Sequence, residues 1–227
     1  MQGLVIFDVD GTLARTSQVD DDCWLQAAKD ILGLDDMETD WGAYEHSTDE
    51  AIASQLIRDR TDLADNHETI ERVRRRHDEL THAAVDADPS LFQATPGAEG
   101  VFERLAEDGW ASAIATGGWK GTATLKLVRA GIDVEGVPAA FAQDARPRED
   151  LIRIAQDRAE ATHGVAFDRV IYVGDGAWDV RASALLGIGF VGIAEDTRRD
   201  WLIEQGAGIV LPDFSDHQAF LAAVEAD

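Results

Sequence analysis

The sequence has little cysteine, little lysine and no long apolar run, and each absence narrows the possibilities. Cys23 is the only cysteine among the 227 residues, so no disulfide can form within the chain. No apolar run approaches the roughly 18 residues that span a bilayer, and the N-terminus has no secretory signal pattern. We therefore expect a cytoplasmic protein, built as one domain with an insertion or as two small domains.

Positive charge is scarce as well. The chain has 44 acidic and 20 basic residues, a net charge of −24, and only three of the basic residues are lysines. Such a surface repels nucleic acids and anionic membranes, so neither is expected as a partner. The acidic residues are spread along the whole chain, which is typical of proteins that work in molar salt. An ordinary acidic protein is the alternative.

Strand-like and helix-like segments alternate over most of the chain. Short apolar runs, such as residues 4–7, are separated by stretches of helical periodicity, which predicts an α/β fold with a Rossmann-like parallel sheet. Residues 14–92 differ, because their apolar residues recur at helical spacing without a convincing strand, starting after a possible Ser17 cap. The predicted division is a core of residues 1–13 and 93–227, with a helical insertion at 14–92.

Polar residues follow three of the predicted strands. They are Asp8 and Asp10, Thr116 and Gly117, and Asp175 with Asp179. The carboxyl ends of parallel strands form the ligand-binding edge of such a sheet. Carboxylates gathered there would repel each other without a cation, and Mg²⁺ prefers oxygen ligands. A hydroxyl and free N–H groups at the start of the next helix would bind an anion, so the pattern indicates phosphoryl transfer.

At these positions the chain resembles the haloacid dehalogenase superfamily of hydrolases. LVIFDVDGTL at 4–13 is similar to the first motif of that family, hhhhDxDGT. IATGG at 114–118 resembles the second motif, and YVGDGAWD at 172–179 resembles the fourth, GDxxxD. The insertion at 14–92 looks like the mobile helical cap of the family. Phosphoglycolate phosphatases and the β-phosphoglucomutase-like group share this plan.

The resemblance implies a role for each acidic residue. Asp8 would be the nucleophile that forms an aspartyl-phosphate, and Asp10 would be the general acid and then the general base. Asp8, Asp175 and the Asp10 carbonyl would hold Mg²⁺, with Asp179 behind them orienting a metal-bound water or a basic residue.

The phosphate-binding groups match the family less completely. Thr116 and the Gly117 N–H would bind the phosphoryl oxygens, but no lysine follows Lys126 to supply the third motif. Arg148, at a predicted helix start, is the first candidate for that role and Arg146 the second, since a guanidinium can clamp phosphate. Lys126 is a third, although it lies about 10 residues, roughly 15 Å of helix, beyond Thr116.

The implied function is a Mg²⁺-dependent phosphatase for a small phosphate monoester. Asp10 favours phosphate esters over halides, because a halide leaves without a proton. A sugar phosphomutase, which returns the phosphoryl group to a sugar, and a non-catalytic binding protein on the same fold are the alternatives. Arg15 stands where many relatives have an aspartate, so substrate specificity is not transferred, and the oligomeric state is open.

The remaining polar and aromatic residues form no motif. The six histidines lack ligand spacing and are expected at the surface, and residues 20–22 are expected as a solvated helix N-terminus. The tryptophans are expected to pack, although Trp119 and Trp178 each follow a site motif.

Overall fold

The computed structural model describes residues 2–226 as a six-stranded parallel sheet with helices on both faces. The strands are β1 Gly3–Phe7, β2 Trp110–Ala115, β3 Ala139–Ala140, β4 Val170–Gly174, β5 Gly189–Ile193 and β6 Ile209–Leu211. Their order in the sheet is β3-β2-β1-β4-β5-β6, and every pairing is parallel. The α/β prediction is confirmed.

Helices connect the strands, as crossovers between parallel strands require. They are α1 Ser17–Leu32, α2 Asp49–Arg60, α3 His67–Ala87, α4 Val101–Glu107, α5 Lys120–Arg129, α6 Arg148–His163, α7 Ala177–Leu186, α8 Asp196–Glu204 and α9 His217–Ala226. Between residues 2 and 226, no helix is long and apolar enough to cross a membrane.

The central strand β1 explains why the sheet is buried on both faces. Its successive side chains point to opposite sides, so Val5 and Phe7 enter one apolar cluster while Leu4 and Ile6 enter the other. All four are completely buried. A continuous apolar run, rather than an alternating one, is what a strand between two helical layers needs.

Helices α1, α2 and α3 form an insertion between β1 and the rest of the sheet domain, and we call it the cap. Its apolar cluster is built around Trp24, Ile57 and Val73, and Trp119 of the sheet domain packs into the same cluster. The chain enters and leaves the cap side by side, since Arg15 N donates to the Gln93 carbonyl oxygen at 2.8 Å. A helical insertion after β1 is therefore confirmed, while its bounds at 14 and 92 stay a prediction.

The start of α1 differs from the prediction. Ser17 is the first helical residue rather than the cap, and Thr16 occupies the cap position without capping the helix through its side chain. The Thr16 hydroxyl instead donates to Asp10 Oδ1 at 2.6 Å. A bond to the neighbouring acidic group replaces the capping bond.

Candidate active site

Three neighbouring strands end at one edge of the sheet and bring the three motifs together. β2, β1 and β4 are adjacent, and Thr116, Asp8 and Asp175 each follow directly after one of them. These residues line a cavity of about 720 Å³, together with Asp10 and Arg148. The cap supplies much of the remaining wall.

Asp8 forms an ion pair with Arg148 inside this cavity. Both residues are buried, and Arg148 Nη1 lies 3.0 Å from Asp8 Oδ1. Nη2 of the same guanidinium donates to the carbonyl oxygen of Ser47, a cap residue, at 3.1 Å. Burial disfavours the charged guanidinium, but the Asp8 and Asp179 carboxylates outweigh it and hold the pKa of Arg148 above its ordinary value. The guanidinium is therefore a fixed positive charge beside Asp8.

Asp8, Asp175 and Asp179 form a group of carboxylates suited to a metal ion. One oxygen atom of each lies within 4.8 Å of the others. Burial, reinforced by the neighbouring carboxylates, raises the pKa of Asp175 well above its ordinary value and the pKa of Asp179 to about 7. A hard divalent cation would relieve this repulsion, and carboxylate oxygens are the ligands that Mg²⁺ prefers, so the residues present fit the ion.

Asp179 is held from two other directions. Gly176 N donates to Asp179 Oδ2 at 3.0 Å, and Asp179 Oδ1 lies 3.7 Å from Arg148 Nε. Asp175, by contrast, faces the cavity, with Arg198 Nη2 3.6 Å from its Oδ2. Asp175 is thus the more open of the two carboxylates.

Asp10 is fixed at both of its carboxylate oxygens. The Thr16 hydroxyl donates to Oδ1, and Lys126 Nζ donates to Oδ2 at 2.9 Å. Burial raises the pKa of Asp10, and Lys126 partly opposes that shift. The ammonium of Lys126 also contacts Asp20, a residue of α1 in the cap.

Thr116 and Gly117 begin the loop between β2 and α5. The buried Thr116 hydroxyl accepts a hydrogen bond from Gly118 N at 3.2 Å. A Cβ atom at Gly117 would lie 2.5 Å from the Ser47 carbonyl oxygen and 2.7 Å from Arg148 Nη2. Glycine is therefore required where the loop passes the guanidinium.

The cap residue Asp49 holds this loop from the other side. Its backbone N donates to the Gly117 carbonyl oxygen at 2.8 Å, and its Oδ2 accepts from Trp119 N at 2.9 Å. Its Oδ1 accepts from Trp24 Nε1 at 2.8 Å. Sequence reasoning missed Asp49, because only the folded cap brings the start of α2 against the loop.

The structure places the second and third candidates for the third-motif role as follows. Arg146 is the second candidate for the third-motif role, but its side chain is exposed and lies outside the described cavity lining. Its carbonyl oxygen instead accepts from Thr48 Oγ1 at 2.7 Å. Lys126 is the third candidate because it lies far from Thr116 along the helix. In the structure its ammonium contacts Asp10, which follows the neighbouring strand β1.

Two predictions about surface residues are wrong. His77 is expected at the surface, but it is completely buried, with Nε2 3.1 Å from Asp20 Oδ1. Asp20 is expected at a solvated helix terminus, yet it lies between Lys126 and His77. Although burial opposes ionisation, the contacts with Lys126 and His77 hold the pKa of Asp20 below its usual range. The sequence does contain a signal for the burial of His77, because this residue follows Ile70 and Val73 at helical spacing on the apolar face of α3.

Comparison with known proteins identifies the family and the fold. The family model for the haloacid dehalogenase-like hydrolases matches residues 3–187. A hydrolase from Pseudomonas syringae has a similar structure, with a TM-score of 0.75 and 23% identity over 97% of this chain and 98% of that one. No curated protein sequence gives a significant match.

Two further solved structures share the fold. The β-phosphoglucomutase of Clostridium difficile has a TM-score of 0.74 and 14% identity, over 100% of this chain and 98% of that one. CbbY of Rhodobacter sphaeroides, crystallised with phosphate, has a TM-score of 0.69 and 19% identity, over 95% and 96%. At these identities the likeness establishes the fold.

Proposed function

Because the chain belongs to the haloacid dehalogenase-like hydrolases, we propose that it is a Mg²⁺-dependent phosphatase acting on a small phosphate monoester. One observation carries the proposal. The ends of three adjacent strands border one cavity. Beside that cavity, Asp8 contacts Arg148 and Asp10 contacts Lys126. The loop at Thr116 and Gly117 and the carboxylates of Asp8, Asp175 and Asp179, which are suited to Mg²⁺, lie at the same edge of the sheet.

The proposed reaction has two steps. In the first, an Asp8 oxygen bonds to phosphorus, the bond to the ester oxygen breaks, and Asp10 gives that oxygen its proton. In the second, Asp10 takes a proton from water, the water oxygen bonds to phosphorus, and the Asp8 carboxylate is released. Asp10 is thus protonated when the ester binds and is ionised, as the partner of Lys126, between the two steps.

Positively charged and hydrogen-bonding groups would hold the phosphoryl oxygens during both steps. Arg148 lies against Asp8 and would bind the oxygens as charge develops on them. Thr116 and Gly117 line the same cavity, and their hydroxyl and N–H groups would bind the oxygens too. Ser47 fixes the guanidinium from the cap, so this cation is correctly oriented when the cap is docked.

Asp8, Asp175 and the Asp10 carbonyl are the proposed Mg²⁺ ligands. Bound there, the ion would neutralise negative charge on the phosphoryl group. Asp179 would act behind them by orienting Arg148, whose Nε lies 3.7 Å from its Oδ1.

The charge of the cavity wall favours a phosphatase over a mutase. The cap contributes the carboxylates of Asp20, Asp21, Glu38, Asp40 and Asp49. Among the described residues that line the cavity, the cap adds no basic side chain, and both arginines, Arg148 and Arg198, come from the sheet domain. A mutase must hold a sugar bisphosphate, whose second phosphate would face this acidic wall. We therefore propose that the leaving group carries no anion.

The test measures phosphate release with Mg²⁺ from three probes: glycerol 1-phosphate, phosphoglycolate and fructose 1,6-bisphosphate. We expect turnover that requires Mg²⁺ and disappears in Asp8→Asn, with a lower KM for glycerol 1-phosphate than for the two more anionic compounds. Asp21→Asn and Asp40→Asn should lower the KM for phosphoglycolate. Phosphate release that survives in Asp8→Asn would contradict the proposal, and a preference for the bisphosphate would contradict the charge argument.

A further inference from the structure

Lys126 is a completely buried lysine on helix α5, and its ammonium contacts two carboxylates. Nζ lies 2.9 Å from Asp10 in the sheet domain and also contacts Asp20 in the cap. Removing an ammonium from water is costly unless it is paired and hydrogen-bonded. Pairing with both carboxylates offsets that cost.

The contacts of Lys126 continue into the cap. Asp20 belongs to α1, and its Oδ1, the oxygen that contacts Lys126, also lies 3.1 Å from His77 Nε2 of α3. A chain of ionisable groups therefore runs from Asp10 through Lys126 and Asp20 to His77. It crosses from the sheet domain to two cap helices.

Asp8 and Asp10, the two neighbouring carboxylates of the site, contact different cations. Arg148 contacts Asp8, whereas Lys126 contacts Asp10. Lys126 Nζ lies 2.9 Å from both oxygens of Asp10, and the Thr16 hydroxyl donates to Oδ1 at 2.6 Å, so the two donors together fix that carboxylate. A group that transfers a proton needs such a fixed orientation toward the ester oxygen.

We propose that Lys126 is the positioning residue for Asp10, and that Asp20 makes this positioning depend on the docked cap. The inference rests on the proposed phosphatase function, in which Asp10 transfers the proton. Lys126 acts through Asp10 and does not touch the phosphoryl group. Its loss should therefore affect substrates according to how much their leaving group needs a proton.

The test compares two phosphate esters within each variant. Glycerol 1-phosphate releases an alkoxide that must be protonated, whereas p-nitrophenyl phosphate releases a stable anion. We expect Lys126→Met to lower kcat/KM on glycerol 1-phosphate by about 100-fold and kcat/KM on p-nitrophenyl phosphate by less than about threefold, because kcat/KM reports the step that expels the leaving group and not the later hydrolysis of the aspartyl-phosphate. The ratio of the two rates does not depend on how much of the variant is folded.

Three further variants complete the design. Asp20→Asn should change the ratio in the same direction by about tenfold, because it weakens one contact of the ammonium. Lys126→Arg should restore part of the ratio lost in Lys126→Met, because a guanidinium keeps a positive charge beside Asp10. Lys120→Met is the matched control, since Lys120 is an exposed lysine on the same helix and should leave the ratio unchanged.

The outcomes separate this inference from the proposed function. An equal fall on both esters in Lys126→Met would show a merely structural role and overturn the inference, as would an unchanged ratio. An unchanged ratio in Asp20→Asn would overturn the dependence on the cap. Phosphate release that persists in Asp8→Asn would instead contradict the phosphatase itself.

Discussion

At the scale of single residues, the site depends on charges that are buried in pairs. Asp8 with Arg148 and Asp10 with Lys126 are each held within 3.0 Å. Removing one member of such a pair leaves the other charge buried without a partner, which costs more than the pair itself contributes. Substitutions here should affect activity and stability together, whereas exposed charges should affect neither strongly.

Arg148 should be the basic residue that matters for phosphoryl transfer, and Arg146 should not. We expect Arg148→Ala to lower kcat/KM by about 100- to 1000-fold, because the phosphoryl group loses a charged donor. Arg146→Ala should stay within about twofold, since its side chain is exposed and only its carbonyl is used. Steady-state kinetics on glycerol 1-phosphate measure both, and equal losses in the two variants would contradict this assignment.

Asp49 should make stability depend on pH. Burial raises the pKa of Asp49 from 3.8 to about 6. Between these two pH values, the Asp49 carboxyl is protonated in the folded state and ionised in the unfolded chain. The contribution of Asp49 to stability therefore falls as pH rises from about 4 to about 6, by at most about 3 kcal/mol. Asp49→Asn lacks this ionisation.

Denaturant unfolding of the two proteins at a series of pH values tests the Asp49 prediction. We subtract the free energy of unfolding of the wild type from that of Asp49→Asn. This difference should rise by up to about 3 kcal/mol between pH 4 and 6 and should stay constant above about pH 7. A difference that does not change with pH would contradict the raised pKa.

At the scale of elements, the strands are predictable from sequence and the contacts between cap and sheet domain are not. The runs around β1 and β4 are apolar throughout, which fixes them as buried strands, and parallel pairing then puts Asp8 and Asp175 at one edge. The partners of Asp49 and Lys126 depend on how α2 and α1 dock. That docking is a tertiary property, and no local spacing encodes it.

The turn after β1 shows how backbone conformation serves the site. Gly11 has φ of 75°, and a Cβ atom there would lie 2.3 Å from Asp175 Oδ2. Gly33 after α1 has φ of 71° but no atom within 4 Å of that position. The two glycines share the left-handed conformation and differ only in their surroundings.

Substitution of these glycines should separate backbone strain from site geometry. Gly33→Ala should lower the free energy of unfolding by about 1 kcal/mol and leave kcat unchanged, because only the left-handed conformation is strained. Gly11→Ala should lower kcat at least tenfold and weaken activation by Mg²⁺, because Asp175 must move. Thermal unfolding and Mg²⁺ titration of the activity check this pair. Normal Mg²⁺ activation in Gly11→Ala would contradict the proposed ligand role of Asp175.

At the scale of the whole molecule, charge is the dominant property. The net charge of −24 is far from zero for 227 residues, and like charges spread over a folded surface repel one another. Amino-acid composition alone reveals this repulsion, although it carries no information on chemistry. The cavity wall is also rich in acidic residues. The excess of acidic residues that makes the surface negative therefore also underlies the proposed preference for leaving groups without an anion.

Salt should stabilise this protein by screening that repulsion. Raising KCl from about 0.1 M to about 1 M shortens the Debye length from about 10 Å to about 3 Å. We expect the midpoint of thermal unfolding to rise by several degrees over this range, and to rise equally in NaCl, since screening does not depend on the cation. An unchanged or falling midpoint would contradict adaptation of the surface to high salt.

The central claim is that Asp8 becomes phosphorylated during turnover. Quenching the enzyme with borohydride while it hydrolyses glycerol 1-phosphate with Mg²⁺ reduces an aspartyl-phosphate to homoserine, which peptide mass spectrometry locates. We predict homoserine at position 8 and none without substrate. With p-nitrophenyl phosphate, whose leaving group needs no proton, we predict more homoserine in Asp10→Asn than in the wild type, because only hydrolysis of the intermediate is slowed. An active enzyme that gives no homoserine at position 8, or that gives it at another aspartate, would contradict the account.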